Sequence, residues 1–270
     1  MPPPGRRRAR TGVDRRTGVD GSRRRLLWQG GAVFGGLLLG GCDGLTESPS
    51  VTRVLESAER LNYATQRLLL GRHSLAREFT EADLSPVFRS NGTSRPGTEE
   101  YQRLMAGGFT EWRLAVGGLV ANPMQLTLDS LRAMPARTQI TRHDCVEGWS
   151  AIGRWTGVPL ATILRSARML PSARFIVFHC ADQLERGAPY YESIDLDDAF
   201  HPQTILAYDL NGRALPVANG APLRLRVERQ LGYKQAKNLM GLEAVERFDT
   251  IRGGKGGFWE DRGYAWYAGI

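Results

Sequence analysis

The sequence predicts a mixed α+β domain, rich in strands, over residues 76–270. Three observations point there. Short apolar runs alternate with turn formers along the second half of the chain. Asn211-Gly212 sits between the apolar runs 206–208 and 214–215, which is the pattern of a two-residue hairpin whose turn needs positive φ. Few helical segments interrupt the strands, and neither a regular strand–helix alternation nor an internal repeat is present, which argues against a doubly wound parallel sheet.

Residues 1–41 read as an address. Ser22-Arg23-Arg24-Arg25-Leu26-Leu27 has the form of a twin-arginine export signal. The apolar stretch 30–39 falls short of the roughly 20 residues that a membrane span needs. Leu39-Gly40-Gly41-Cys42 then has the form of a lipobox, whose cysteine carries lipid, and Asp43 is the residue type of an inner-membrane retention signal. Residues 42–75 are expected to form a tether with a helix lying on the domain, because Val51, Leu55, Ala58, Leu61, Thr65 and Leu68 recur at three- and four-residue spacing. Residues 86–98 are a loop of turn formers. Strands are expected at 112–116, 139–143, 174–180, 193–196, 223–227 and 242–248. Short helices are expected at 128–133, capped by Thr127, and at 160–168, opened by Pro159. No Gly-x-Gly-x-x-Gly follows a strand, so a dinucleotide site is not expected.

Charge gives no case for nucleic acid. The chain carries 36 basic and 28 acidic residues, but the first 41 residues hold nine arginines and two aspartates. The remaining residues, 42–270, carry 27 basic and 26 acidic groups, close to neutral, so the high pI belongs to the leader. The twin-arginine route carries proteins already folded, often around a cofactor.

Of three cysteines, Cys42 is spoken for by the lipobox. Cys145 ends the strand 139–143 within Arg142-His143-Asp144-Cys145-Val146-Glu147-Gly148-Trp149-Ser150. Its residues leave three readings open: a half-buried thiol, a nucleophile paired with His143, or a soft metal ligand beside the cation Arg142. A disulfide to Cys180 is the ordinary alternative in an oxidising compartment. No His-Glu-x-x-His or paired Cys-x-x-Cys offers a zinc set.

Cys145-Val146-Glu147-Gly148-Trp149-Ser150 followed by Trp155-Thr156-Gly157-Val158-Pro159-Leu160 resembles the sulfite-oxidase-type molybdopterin oxidoreductases. Ser90-Asn91-Gly92, Ala214-Leu215-Pro216 with Asn219-Gly220-Ala221-Pro222-Leu223-Arg224, and Gly232-Tyr233-Lys234-Gln235-Ala236-Lys237 resemble further motifs of that family, in the family's order, so the resemblance covers about residues 76–270. It implies the strand-rich sulfite-oxidase fold as a single domain. It also implies molybdenum on a single molybdopterin without nucleotide, bound to the protein through Cys145, and two-electron oxygen-atom transfer as the metal cycles between its +4 and +6 states. On that resemblance Asn91, Cys180, Asn219, Arg224, Lys234, Gln235, Ala236 and Lys237 would surround the cofactor. Arg224, Lys234 and Lys237 suit its phosphate, and Asn91 suits a pterin edge. Cys180 falls where relatives have a small polar residue near the cofactor, which argues against a disulfide that would take the metal's ligand.

Arg142, His143 and Trp149 are expected around the substrate. Val146-Glu147-Gly148-Trp149 stands where sulfite oxidases have small residues and arginines, and is similar to the bacterial branch with the periplasmic methionine-sulfoxide reductase catalytic subunit. The expectation is therefore reduction of S- or N-oxides, small or protein-bound, in the cell envelope. The alternatives are sulfite-like oxidation, a non-catalytic pterin-binding lipoprotein, and a cysteine-nucleophile hydrolase. No haem motif or dimerisation domain is read, so electrons would come from a separate membrane or c-type cytochrome, with the chain a monomer held to the membrane only by its leader or lipid. Four aromatics in Gly256-Gly257-Phe258-Trp259 and Tyr264-Ala265-Trp266-Tyr267 are read as core packing, with a docking face as the alternative.

Overall fold

The computed structural model describes residues 49–71, 73–185 and 187–270. The export signal, Cys42 and Asp43 lie outside the described residues. The chain forms two units, Met1–Ala58 and Glu59–Ile270; of the first, only the opening turns of helix α1 (Pro49–Leu70) are described. Among the described residues no helix is long and apolar enough to cross a membrane.

Within the second unit, the later turns of α1 lie on the surface, as the spacing predicts. Tyr63 donates to Asp195 at 2.7 Å, and Arg67 reaches Asp195 at 2.7 Å and Asp198 at 2.9 Å. Leu61 and Leu68, which share the spacing pattern, remain exposed.

The rest of the unit is built on two five-stranded sheets. The first has the order β2 (Met124–Thr127), β1 (Arg113–Gly118), β10 (Leu239–Val245), β5 (Phe175–Glu185), β6 (Ala188–Asp195). Its β1–β10 pair is parallel and the rest are antiparallel. The second has the order β3 (Arg137–Cys145), β4 (Trp149–Pro159), β7 (Ile205–Leu210), β8 (Arg213–Ala214), with β9 (Arg224–Arg226) on the other part of β7. The β7–β8 turn is Asn211-Gly212 with φ of 52° and 75°, the two positive values that an Asn-Gly hairpin supplies at low steric cost. The short helices are α2 (Glu99–Ala106), α3 (Leu128–Arg132), α4 (Leu160–Ala167) and α5 (Leu196–Ala199). Thr127 caps α3 by accepting the Ser130 amide at 2.9 Å.

The main core gathers Trp112, Leu114, Ile176, Phe178 and Leu242. A smaller cluster of Trp155, Ile205, Ala207, Leu210 and Leu215 sits on the second sheet. This is the expected strand-rich α+β class. The structure adds β2, β4, α2 and α5 to the elements that the sequence predicts.

His201 ties the end of α5 to the segment just after α1. Its Nδ1 accepts the Gln203 amide at 3.2 Å, so Nε2 carries the proton and donates to the Ser74 carbonyl at 3.1 Å. Burial, and next the Arg229 guanidinium, push its pKa down to about 4. The fold therefore holds His201 neutral where the unfolded chain, titrating near 6.5, takes up a proton. The stability it contributes is complete above about pH 6.5 and is lost as pH falls toward about 4, on the order of 2 kcal/mol. Thermal denaturation should show this slope, and His201→Asn, less stable at neutral pH, should show a shallower one over the same window. Equal slopes would contradict the assignment.

Candidate active site

The site is built on the β3–β4 hairpin. Gln139, Thr141, His143 and Cys145 alternate inward along β3. The strand ends at Cys145, which pairs with Trp149 across the turn 146–148, where Gly148 takes φ 83°. Cys145 is 9 % exposed. Burial raises its thiol pKa, while the backbone amides of Glu147 and Val146 favour the thiolate. Both Cys145 and Cys180 are free thiols.

Cys145 lines a cleft of about 660 Å³ of free space, its mouth included. One wall is polar: Asn91, Asp182, Gln235 and Lys237. The lining is also aromatic, with Tyr190, Tyr233, Trp259 and Tyr264. Val146 and Glu147 lie at the exposed rim. Two glycines allow close approach. A Cβ on Gly232 would lie 2.5 Å from His143 Nε2. Gly220, at φ 115°, packs so tightly on Arg224 and Lys237 that a Cβ would lie 3.1 Å from theirs.

The inner end holds buried positive charge. Arg224 is wholly buried and donates only to the carbonyls of Asn219 at 2.9 Å and Gln235 at 3.4 Å. Burial, then Arg226, bring its pKa down to about 9. Lys237 donates to the carbonyls of Asn91, Thr93 and Ala218, and burial with Arg224 lowers its pKa to about 8. Around them Asn91 Oδ1, Asn219 Nδ2, Arg224 Nε, His143 Nε2 and Asp182 Oδ1 are buried with no hydrogen-bond partner. Buried polar atoms are ordinarily satisfied, so such a cluster points to a polar ligand with an anionic end.

His143 is fixed from behind. Arg226 lies 3.0 Å from Nδ1 and can only donate, so Nδ1 accepts and the proton sits on Nε2. Burial, Arg226 and Arg224 hold its pKa well below the ordinary histidine range. Arg226 is itself paired with buried Glu228 at 2.5 Å, and Trp155 lies 4.4 Å beneath it and 5.0 Å from Arg224.

The structure thus brings together Cys145, His143, Asn91, Asn219, Arg224, Gln235 and Lys237. Ala236 lies behind them, its carbonyl accepting the Leu225 amide at 2.8 Å. Three others, Arg142, Cys180 and Lys234, face elsewhere, and Trp149 stands beside His143 but outside the cleft lining. Arg142 lies on the opposite face of β3, paired with Asp144 at 2.9 Å, and lines a separate cavity with Arg77 and Phe79. Trp149 sits at the hairpin base, bonded to Glu147 at 2.8 Å, under Arg89 and with its ring 5.5 Å from that of His143. Cys180 lines another groove with Arg103, Arg113 and Arg252, and burial pushes its pKa well up. Lys234 is wholly buried between Glu192 and Glu260. Arg226, Trp155 and Asp182 join the site without having been singled out by the sequence. For Arg226 a signal exists: the alternation Leu223-Arg224-Leu225-Arg226 puts both arginines on one strand face.

The family described as oxidoreductase molybdopterin-binding domain matches residues 104–250. A protein of Azospira oryzae, provisionally named protein-methionine-sulfoxide reductase subunit YedZ1, is 39 % identical over 91 % of this chain and 87 % of its own length. The protein-methionine-sulfoxide reductase catalytic subunits MsrP of Xanthomonas axonopodis and Ralstonia nicotianae are 37 % and 38 % identical over 52 % and 50 % of this chain. The chain spans under half the length of those two, 46 % and 44 %. Among solved structures, the sulfane dehydrogenase SoxCD of Paracoccus pantotrophus overlays 51 % of this chain and 39 % of its own, at 23 % identity and a TM-score of 0.47.

The residues present fit a molybdopterin. Arg224 and Lys237 could hold its phosphate, the orphaned atoms of Asn91, Asn219 and Asp182 its polar edges, and the Cys145 sulfur its metal. Among the described residues no three His, Cys, Asp or Glu side chains gather to hold a metal alone, so a metal at Cys145 needs ligands brought by the cofactor.

Proposed function

The chain belongs to the oxidoreductase molybdopterin-binding family, and from that premise we propose that it reduces S- or N-oxides, protein-bound methionine sulfoxide foremost, by two-electron oxygen-atom transfer. The observation that carries the proposal is the pairing of one cleft-lining cysteine with buried cations that have no acid partner in hydrogen-bond contact. A bound molybdenum–pterin group would supply the two-electron chemistry. The chain's own part is to hold and orient. Arg224 and Lys237 would fix a single pterin's phosphate without a nucleotide. Asn91 and Asn219 would set its plane. Neutral His143, pinned by Arg226, keeps an Nε2 proton directed at the Gly232 loop beside the cleft.

The rim supports an oxide over a sulfur oxyanion. The charged rim group is the Glu147 carboxylate, and the Arg142 guanidinium is turned away to Asp144. Like charge at the rim disfavours an incoming anion. The substrate named for the Azospira, Xanthomonas and Ralstonia proteins supports methionine sulfoxide. Those names also call them subunits, which supports a separate electron-donating partner, such as a membrane or c-type cytochrome. The leader supports an envelope location.

The test is protein exported by a molybdate-fed host. It should hold about one molybdenum and one pterin per chain. With a reduced dye as donor, it should turn over sulfoxides and N-oxides faster than it oxidises sulfite. Arg224→Met should lower pterin content roughly tenfold, the scale of one charge-assisted phosphate contact. Loaded protein that reduces no oxide would end the reading, and protein with neither metal nor pterin would end it earlier.

A further inference from the structure

We infer that Trp259 and Tyr264, at the mouth of the Cys145 cleft, form the specificity surface that receives a peptide carrying methionine sulfoxide, in preference to a small free oxide. The inference rests on the proposed oxide reduction and deepens it by naming the residues that select the peptide-bound oxide.

The aromatic wall is continuous. Tyr233 meets Tyr264 edge-on at 5.2 Å, Tyr264 stacks on Trp259 at 5.3 Å, Trp259 meets Phe258 at 5.4 Å, and Phe258 stacks on Tyr190 at 5.5 Å. It is also pinned. Phe258 is 2 % exposed, and the Arg262 guanidinium, paired with Glu185 at 2.6 Å, lies 3.6 Å over its ring. The Tyr264 amide donates to the Trp259 carbonyl at 3.0 Å, which closes the turn that holds the two rings together.

The inner rings of the wall have their hydroxyls already engaged. Tyr190 donates its hydroxyl to the Tyr233 carbonyl at 2.5 Å, and Tyr233 donates to the Ala265 carbonyl at 2.6 Å. Those two rings are buried, whereas Tyr264 is 40 % exposed and Trp259 half-buried, so the outer pair is the one a ligand meets first. Val146 and Glu147 line the same cleft as exposed side chains, and Asp182, Gln235 and Lys237 line it as buried ones. The cleft therefore runs from an apolar, aromatic mouth to a polar, cationic floor.

That gradient matches one kind of oxide. A methionine sulfoxide side chain has a polar S=O at its far end and two methylenes behind it. With the S=O directed at Cys145, the methylenes and the flanking peptide would cover the outer rings, and carbon and sulfur groups pack well on aromatic faces. Dimethyl sulfoxide carries the same reacting group but nothing that reaches the mouth. A sulfur oxyanion would meet rings and the Glu147 carboxylate. The overall reaction consumes two electrons from the donor and two protons, and the S=O oxygen leaves as water while the thioether remains.

The experiment compares dye-linked kcat/KM for an oxidised methionine peptide and for dimethyl sulfoxide. It uses the loaded wild type, Trp259→Leu, Tyr264→Ala, the double variant and Tyr264→Phe, each with its molybdenum and pterin content measured. The peptide-to-dimethyl-sulfoxide ratio should fall about tenfold in the double variant, through KM, since one to two ring contacts amount to about a factor of ten. Tyr264→Phe should keep the wild-type ratio, because the ring and not the hydroxyl does the binding. A wild type that reduces no sulfoxide overturns the functional reading and this inference with it. A wild type that reduces both, with the ratio unmoved in the double variant or moved through kcat alone, overturns this inference and leaves the reading standing.

Discussion

Cys145→Ser is expected to lower sulfoxide turnover by at least about a thousandfold while the protein stays folded, the scale of losing a group that acts only in the reacting state. Serine is nearly isosteric, and Cys145 closes a strand whose nine residues all pair with β4, so the hairpin keeps its register. The loss is chemical. A thiolate is a soft, ionisable donor that the Glu147 and Val146 amides stabilise, whereas a serine hydroxyl stays protonated at neutral pH and is a poor partner for a soft metal centre. Lys237, Arg224 and Asn91 remain in place, so some pterin should stay bound. The measurements are dye-linked turnover, molybdenum and pterin content, and the thermal transition. A variant that turns over at wild-type rate would remove Cys145 from the chemistry. One that unfolds would show the thiol to be core packing, the first of the readings its sequence leaves open.

How legible each segment is in the sequence depends on which force shapes it. The Asn211-Gly212 turn and the Thr127 cap are local backbone chemistry, and both appear where the sequence puts them. Strand β4 escapes sequence reading although its inward positions Ala151, Gly153, Trp155 and Gly157 alternate. Two of the four are glycines, which carry no apolar signal, and at Gly157 a Cβ would lie 2.1 Å from the Leu206 carbonyl, so close strand packing sets the residue there. Among the site residues, the motif order places Asn91, Arg224, Gln235 and Lys237 near Cys145. Where Arg142 stands apart from this group, the reason is facing. Arg142 precedes His143 by one residue, and strand pleating sends neighbours to opposite faces. Arg226 escapes notice because an arginine two residues from another on a strand reads as solvated charge. Here β9 is buried throughout, and Trp155 and Glu228 take up its cation. Of the C-terminal aromatics, Phe258 packs in the core as expected, whereas Trp259 and Tyr264 line the cleft, a placement the sequence reading did not foresee.

Lys234→Met should cost about 3–5 kcal/mol of stability, the range for removing one partner of a buried ion pair. The sequence places Lys234 beside the cofactor because it shares a six-residue motif with Lys237. In the structure its ammonium donates to Glu192 and to Glu260, and all three side chains are at most 1 % exposed. Burial disfavours the lysine's charge, yet the two carboxylates more than offset this and raise its pKa above the usual value. Burial and then Glu260 push Glu192 well above the usual carboxylate range, with Lys234 opposing them. Without the lysine, Glu192 loses the cation that holds its charge and must keep its proton. Its folded pKa then rises further still, so the variant loses stability relative to wild type as pH rises through the wild-type Glu192 pKa, which itself stands well above the usual carboxylate range. Urea denaturation followed from about pH 5 up to about pH 9 should show the deficit growing toward the alkaline end. Lys234→Met, Glu192→Gln should recover part of it, because a neutral amide has no ionisation for the fold to suppress. Cofactor content, measured on protein that remains folded, separates the two roles. A Lys234→Met chain of near wild-type stability that has lost its pterin would return Lys234 to the cofactor. An unstable chain that still holds pterin would make it a brace beneath the Tyr233 wall.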